Sequence, residues 1–72
     1  MRDWLKAKRI EKGLTMAQLS SKLNITESYY SLIEAGERQK KMDIVLVVRL
    51  SEALEIPITD IIIMEAAKEA KA

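Results

Sequence analysis

Thr15 to Gly36, TMAQLSSKLNITESYYSLIEAG, is the stretch that decides the fold, because it reads as two short helices joined by a tight turn. Thr15 precedes a helical pattern and Gln18 follows three residues later, the spacing of a capping box in which each side chain satisfies the other residue's unpaired amide. Leu14 and Leu19 stand where a hydrophobic staple belongs. Thr26 opens the second helix as N-cap, and Glu27 sets negative charge against the positive end of its dipole. Ile25 and Tyr30 supply the second staple. Between the helices, Asn24 is suited to the left-handed conformation that reverses the chain, and Gly36 closes the second helix as its C′ residue. Leu19, Leu23, Ile25, Tyr30 and Ile33 share one seam, while Ala17, Ser20, Ser21, Glu27, Ser28, Tyr29, Ser31 and Leu32 are expected mostly outside it. The second helix thus shows small and polar residues on its free face, as a helix lying in a groove needs.

Composition narrows the function classes. The chain has 72 residues with no Cys and no His, so it has no thiolate or imidazole for metal binding, disulfides, or nucleophile and base chemistry. No catalytic constellation remains, and no cofactor, metal or small-molecule ligand is expected. MRDWLKAKR lacks the apolar run of a signal peptide, and no stretch reaches the ~20 apolar residues that span a bilayer. A cytoplasmic protein is the corresponding expectation. Net charge is only +1, but residues 1–41 hold nine Lys or Arg against five Asp or Glu, and residues 42–72 hold three against six. The basic excess therefore accompanies the helix-turn-helix, which suits one face for phosphate and another for solvent. Random surface charge in a short chain is the competing explanation.

Outward from the motif, helix one is expected from about Arg2 to Lys12, with Trp4, Leu5 and Ile10 as its apolar contributions and Gly13 as its stop. Asp43 caps helix four, with Met42 and Val47 as staple, and the helix runs through Leu54. Ile44, Val47, Val48, Leu50, Ser51 and Leu54 suffice to face a core, leaving Val45 and Leu46 over. Pro57 separates helices four and five, because proline cannot continue one helix but suits the start of the next. Helix five, Ile58 to about Ala70, points Ile58, Ile61 and Ile62 inward and has Ile63 and Met64 to spare; its tail, EAAKEAKA, is expected to fray.

EKGLT at Glu11 to Thr15, the Leu19 and Leu23 spacing, and YYSLIEAG from Tyr29 to Gly36 resemble the Cro and phage-repressor helix-turn-helix regulators with the lambda-repressor-like fold. LSEALEIPITDI, Leu50 to Ile61, extends the resemblance over nearly the whole chain. It implies an all-α, compact five-helix bundle, residues 1–72 as one DNA-binding domain, with helices two and three as the helix-turn-helix. It also implies an ion pair between Arg9 and Glu34 that orients helices. Three departures stand out: Lys8 where the family often has Leu, a 37–41 connection about two residues longer and without Pro, and Met16 where Gln would bridge to phosphate.

The resemblance implies a sequence-specific regulator of transcription, a repressor, whose helix Glu27 to Ala35 enters the major groove of duplex DNA. Thr26, Glu27, Ser28 and Leu32 are expected to reach bases, with Ser31 behind them. Glu27 can accept from cytosine N4, Ser28 can pair with several bases, and Leu32 suits a thymine methyl; Glu27 serving its helix dipole alone is the alternative. Phosphate is expected at the amides of Thr15, Met16 and Ala17, at Tyr29, and at Arg38, Lys40 and Lys41, although a charged loop is also an ordinary solvated one. Tyr30 falls on the seam as packing. A homodimer reading a palindromic operator is expected, its interface built from Ile63 and Met64 with Val45 or Leu46 added, unless Ile63 and Met64 simply complete the core. The competing class is a protein-interaction module, such as an antitoxin, whose main role is partner binding.

Overall fold

The computed structural model describes residues 1–70, and these form five helices: α1 (Asp3–Glu11), α2 (Met16–Leu23), α3 (Glu27–Ala35), α4 (Ile44–Leu54) and α5 (Ile58–Ala70). Lys71 and Ala72, the end of the tail expected to fray, lie outside the described residues. Local chemistry sets most boundaries. At α2 the capping box is complete: Gln18 N donates to Thr15 Oγ1 at 3.1 Å and Thr15 N donates to Gln18 Oε1 at 2.8 Å. Thr26 Oγ1 accepts from Tyr29 N, and Asp43 Oδ1 accepts from Leu46 N at 2.7 Å.

Helix ends are equally explicit. Asn24 (φ 59°) and Gly36 (φ 84°) adopt the left-handed conformation after α2 and α3. Behind each, a pair of amides folds back onto the last turn: Asn24 N to Ser21 O and Ile25 N to Ser20 O, then Gly36 N to Ile33 O and Glu37 N to Leu32 O. This is the Schellman pattern, and it uses carbonyls that a helix end would otherwise leave unpaired.

Helix α2 packs on α3 and α4, α4 on α5, and α1 on α3. Their shared core is Leu5, Leu19, Leu23, Tyr30, Ile33, Leu46, Leu50, Leu54 and Ile61. Each such aliphatic side chain contributes about 1.5–3 kcal/mol on leaving water. Arg49 Nη1 donates to Leu23 O at 3.2 Å, tying α4 to the end of α2.

The phases of the outer helices correct several expectations. In α4 the buried stripe is Leu46, Leu50 and Leu54, at spacings of four, so Leu46 belongs to the core and is not left over for an interface. Ile44 and Val48, expected inside, are instead exposed, at 80% and 38%. With five consecutive aliphatics at its start, α4 has no polar face there to fix its rotation, and packing decides it. Helix α5 repeats the lesson: Ile61 is buried, whereas Ile58 and Ile62 are exposed and Met64 is half-buried. Ile10 of α1 is likewise exposed. Ser20, expected outside the seam, is buried, its hydroxyl donating to Ala17 O at 2.9 Å. A small side chain there lets neighbouring elements approach, and bonding within its own helix removes the cost of burying the hydroxyl.

Candidate nucleic-acid interface

Helix α3 presents Glu27, Ser28 and Ser31 to solvent and keeps Leu32 half-buried. With Met16 from the first turn of α2, these four residues line one open depression. The sequence placed Met16 with the phosphate residues; the fold sets it beside the base-reading candidates, and its thioether and Leu32 make that depression partly apolar. Thr26 is not brought into it. Its hydroxyl is engaged by Tyr29 N, and it lines an adjacent depression with Ser20, Ser21, Asn24 and Ile25.

What aims this face is a buried polar triad on its reverse side. Arg9 Nε donates to Glu34 Oε2 at 3.0 Å and Arg9 Nη2 to Glu34 Oε1 at 3.2 Å, a two-point contact. Tyr30 Oη donates to Glu34 Oε2 at 2.5 Å, and Arg9 Nη1 donates to Leu14 O at 3.0 Å. Burial by itself would raise the Glu34 carboxyl, but hydrogen bonds from Arg9 and Tyr30 and the Arg9 charge hold it below its ordinary value. The Arg9 guanidinium is pushed up, chiefly by its hydrogen bond to Glu34. The Tyr30 phenol is raised as well, first by burial and then by donating to Glu34. Three bonds from Arg9 thus join α1 to α3 and to Leu14 near the end of the α1–α2 connection, while Tyr30 braces Glu34 within α3, so that the exposed face is carried on a rigid back.

A second buried cation was not anticipated. Arg2 is fully buried. Its Nε donates to Glu65 Oε1 at 2.8 Å and its Nη1 to Ile33 O at 2.6 Å and Arg38 O at 3.0 Å. Its Nη2 donates to Gln39 O and to Glu65 Oε2 at 3.3 Å. All five guanidinium donors are therefore used. Trp4 Nε1 adds a hydrogen bond to Glu65 Oε1 at 2.8 Å. The clue in the sequence was Glu65, an acid one turn beyond Ile61 on the inward stripe of α5, where only a cation could compensate it.

The connection after α3 carries the remaining candidates. Arg38, Lys40 and Lys41 are exposed, and Lys41 borders a groove with Met42, Val47, Ile61, Ile62, Glu65 and Ala66, on the α5 side of the loop. Thr15 and Ala17 are exposed at the start of α2. Tyr29 is half-buried, and its hydroxyl accepts from Gln39 Nε2 at 2.9 Å. On α4 and α5, Val45 and Ile63 are exposed at 59% and 65%. Among the described residues, no helix is long and apolar enough to cross a membrane.

Comparison with known proteins agrees with this architecture. Residues 5–61 match the helix-turn-helix family HTH_3. An uncharacterized HTH-type transcriptional regulator of Bacillus subtilis (strain 168), YqaF, is 44% identical over 39 residues, 54% of this chain and 51% of that protein. The chain thus spans about half the length of the curated relative it matches. No solved structure matches it. The capped and Schellman-closed α2–turn–α3 unit, its outward polar face and the family match over residues 5–61 lead to one assignment: the chain belongs to the HTH_3 helix-turn-helix family, Cro/C1-type and lambda-repressor-like, and carries a DNA-binding helix-turn-helix.

Proposed function

We propose that this protein is a sequence-specific regulator of transcription, acting as a repressor in the prokaryotic cytoplasm, with α3 in the major groove of an operator. The observation that carries this reading is the depression shared by Met16, Glu27, Ser28, Ser31 and Leu32. It combines an acceptor for cytosine N4, two hydroxyls and an apolar floor suited to a thymine methyl, which is a base-edge chemistry and not a phosphate chemistry. Thr26 flanks it. Phosphate contacts fall to the amides of Thr15, Met16 and Ala17, to Tyr29, and to Arg38, Lys40 and Lys41, which fix register without reading sequence. The Arg9–Glu34 pair serves as scaffold. A regulator seated on a promoter in this way represses by occupying the groove.

The working unit is a homodimer on a palindrome. Support comes from the aliphatic residues exposed on the last two helices: Ile44, Val45, Val48, Ile58, Ile62 and Ile63. The protein measures 29 × 24 × 22 Å, so two copies side by side reach across successive major-groove segments about 34 Å apart. Ile63 and Val45 remain interface candidates, with half-buried Met64 at the edge, and Leu46 is withdrawn to the core. The same exposed face would also serve an antitoxin-like partner.

Selection of bound fragments from a randomised duplex pool tests the proposal. An enriched palindrome, bound by two copies and weakening steeply as salt rises, is the expected result. Equal binding to random and selected duplexes, unchanged by Glu27→Gln, would exclude direct readout by this face. Salt-insensitive association with a protein and none with DNA would favour the partner-binding alternative.

A further inference from the structure

Gln39 holds a backbone conformation that a glutamine adopts only under constraint. It lies in the connection between α3 and α4 with φ 55°, in the left-handed region that favours Gly or Asn. Its carbonyl accepts from Arg2 Nη2 and the preceding carbonyl, that of Arg38, accepts from Arg2 Nη1, so a fully buried guanidinium fixes the backbone on both sides of the strained peptide. An unfavourable conformation so firmly imposed suggests that its side chain has a task there.

That side chain bridges two elements. Gln39 Oε1 accepts from Asp43 N at 3.1 Å, and Gln39 Nε2 donates to Tyr29 Oη at 2.9 Å. The direction of the second bond follows from the first. A backbone amide can only donate, so the amide oxygen of Gln39 must face Asp43 and its NH2 must face Tyr29. Tyr29 Oη is therefore the acceptor, and its own proton is left to donate elsewhere. Tyr29 lies on α3 three residues before Leu32, and Arg38, Lys40 and Lys41 surround Gln39 in sequence.

We propose that Gln39 is a positioning residue that fixes the Tyr29 hydroxyl as a donor to one backbone phosphate of the duplex, with Arg2 as the clamp that holds Gln39 in place. This rests on the DNA-binding reading above and adds to it a specific anchor built from the α3–α4 connection.

The test is a double-mutant cycle of Tyr29→Phe and Gln39→Gly, read as affinity for a selected duplex across a salt series, alongside thermal unfolding. Glycine accepts φ 55° without strain and water replaces the exposed Asp43 contact, so Gln39→Gly should melt no lower than wild type. Each single variant should bind roughly tenfold more weakly, the loss of one hydrogen bond to a charged acceptor. The double variant should lose no more than Tyr29→Phe alone. The slope of log affinity against log salt should be unchanged in all three, because a neutral donor releases no counterion, whereas Lys40→Ala should flatten it.

Wild-type affinity in Gln39→Gly, losses that multiply, or a flattened slope in Gln39→Gly would overturn the positioning role while leaving DNA binding intact. A wild-type protein that binds no duplex would instead overturn the DNA-binding reading, and the anchor with it.

Discussion

The half of the molecule built from α1 to α3 and the half built from α4 and α5 are made of the same kinds of residue but finished to different degrees. In the first, the buried charge of Arg9 meets Glu34 and Leu14 O, Tyr30 donates to the same Glu34, and Met1 and Ile10 are the large aliphatics left well exposed. In the second, Ile44, Val45, Val48, Ile58, Ile62 and Ile63 all stand in solvent. One half is complete as a single copy. The other keeps apolar surface that gains free energy only when something covers it.

The contrast breaks first, and most severely, at the triad. Glu34→Leu strands Arg9 and removes the acceptor of Tyr30, and should cost about 3–5 kcal/mol in urea unfolding, the range for an uncompensated buried charge. Adding Arg9→Met should recover part of that loss. Additive losses would mean that the two side chains do not depend on each other.

The α4 phase is the next point of leverage. Leu46→Ala should destabilise by about 2–4 kcal/mol through the cavity it leaves, whereas Ile44→Ala, two residues earlier, should stay within about 0.5 kcal/mol. Equal effects would show that α4 is rotated away from the packing described. This pair also marks the limit of what the sequence discloses. Thr15, Gln18, Asn24, Thr26, Gly36 and Asp43 could be read because caps and left-handed turns are local, each satisfied within a few residues. The rotation of IVLVV and of IIIM could not, because a helix that is apolar on several sides carries no periodic signal to choose between them. Of the candidate site, the face of α3 followed from the same local rules. Arg2 did not, since its partner Glu65 lies 63 residues away and only the fold brings them together.

Acid should separate the halves on a finer scale. The Glu34 carboxyl is held below its ordinary value, so the stability it supplies is complete above the ordinary carboxylate range and is lost as pH falls through its lower, folded value. Unfolding followed below about pH 4.5 should be shallower in Glu34→Gln than in wild type. Tyr30 gives the opposite limb: its phenol is raised, so its stability is full below about pH 10 and lost above it, and Tyr30→Phe should flatten that alkaline loss.

The smallest effect on the folded monomer belongs to the uncovered face. Ile63→Glu and Ile62→Glu should change monomer stability by no more than about 0.5 kcal/mol, since both side chains already face water. In sedimentation on the selected duplex, however, the expected two copies should fall to one. Two copies retained in both variants would place the interface elsewhere.

Glu65 and Arg2, finally, set the order in which the molecule forms. Their contact closes a loop of nearly the whole chain, the costliest closure in the fold, whereas the α2–α3 contacts join neighbours. The chain ends should therefore dock after the rate-limiting step. Arg2→Met should leave the refolding arm of a chevron almost unmoved and raise the rate of unfolding, so that this clasp governs the lifetime of the fold and not the speed of reaching it.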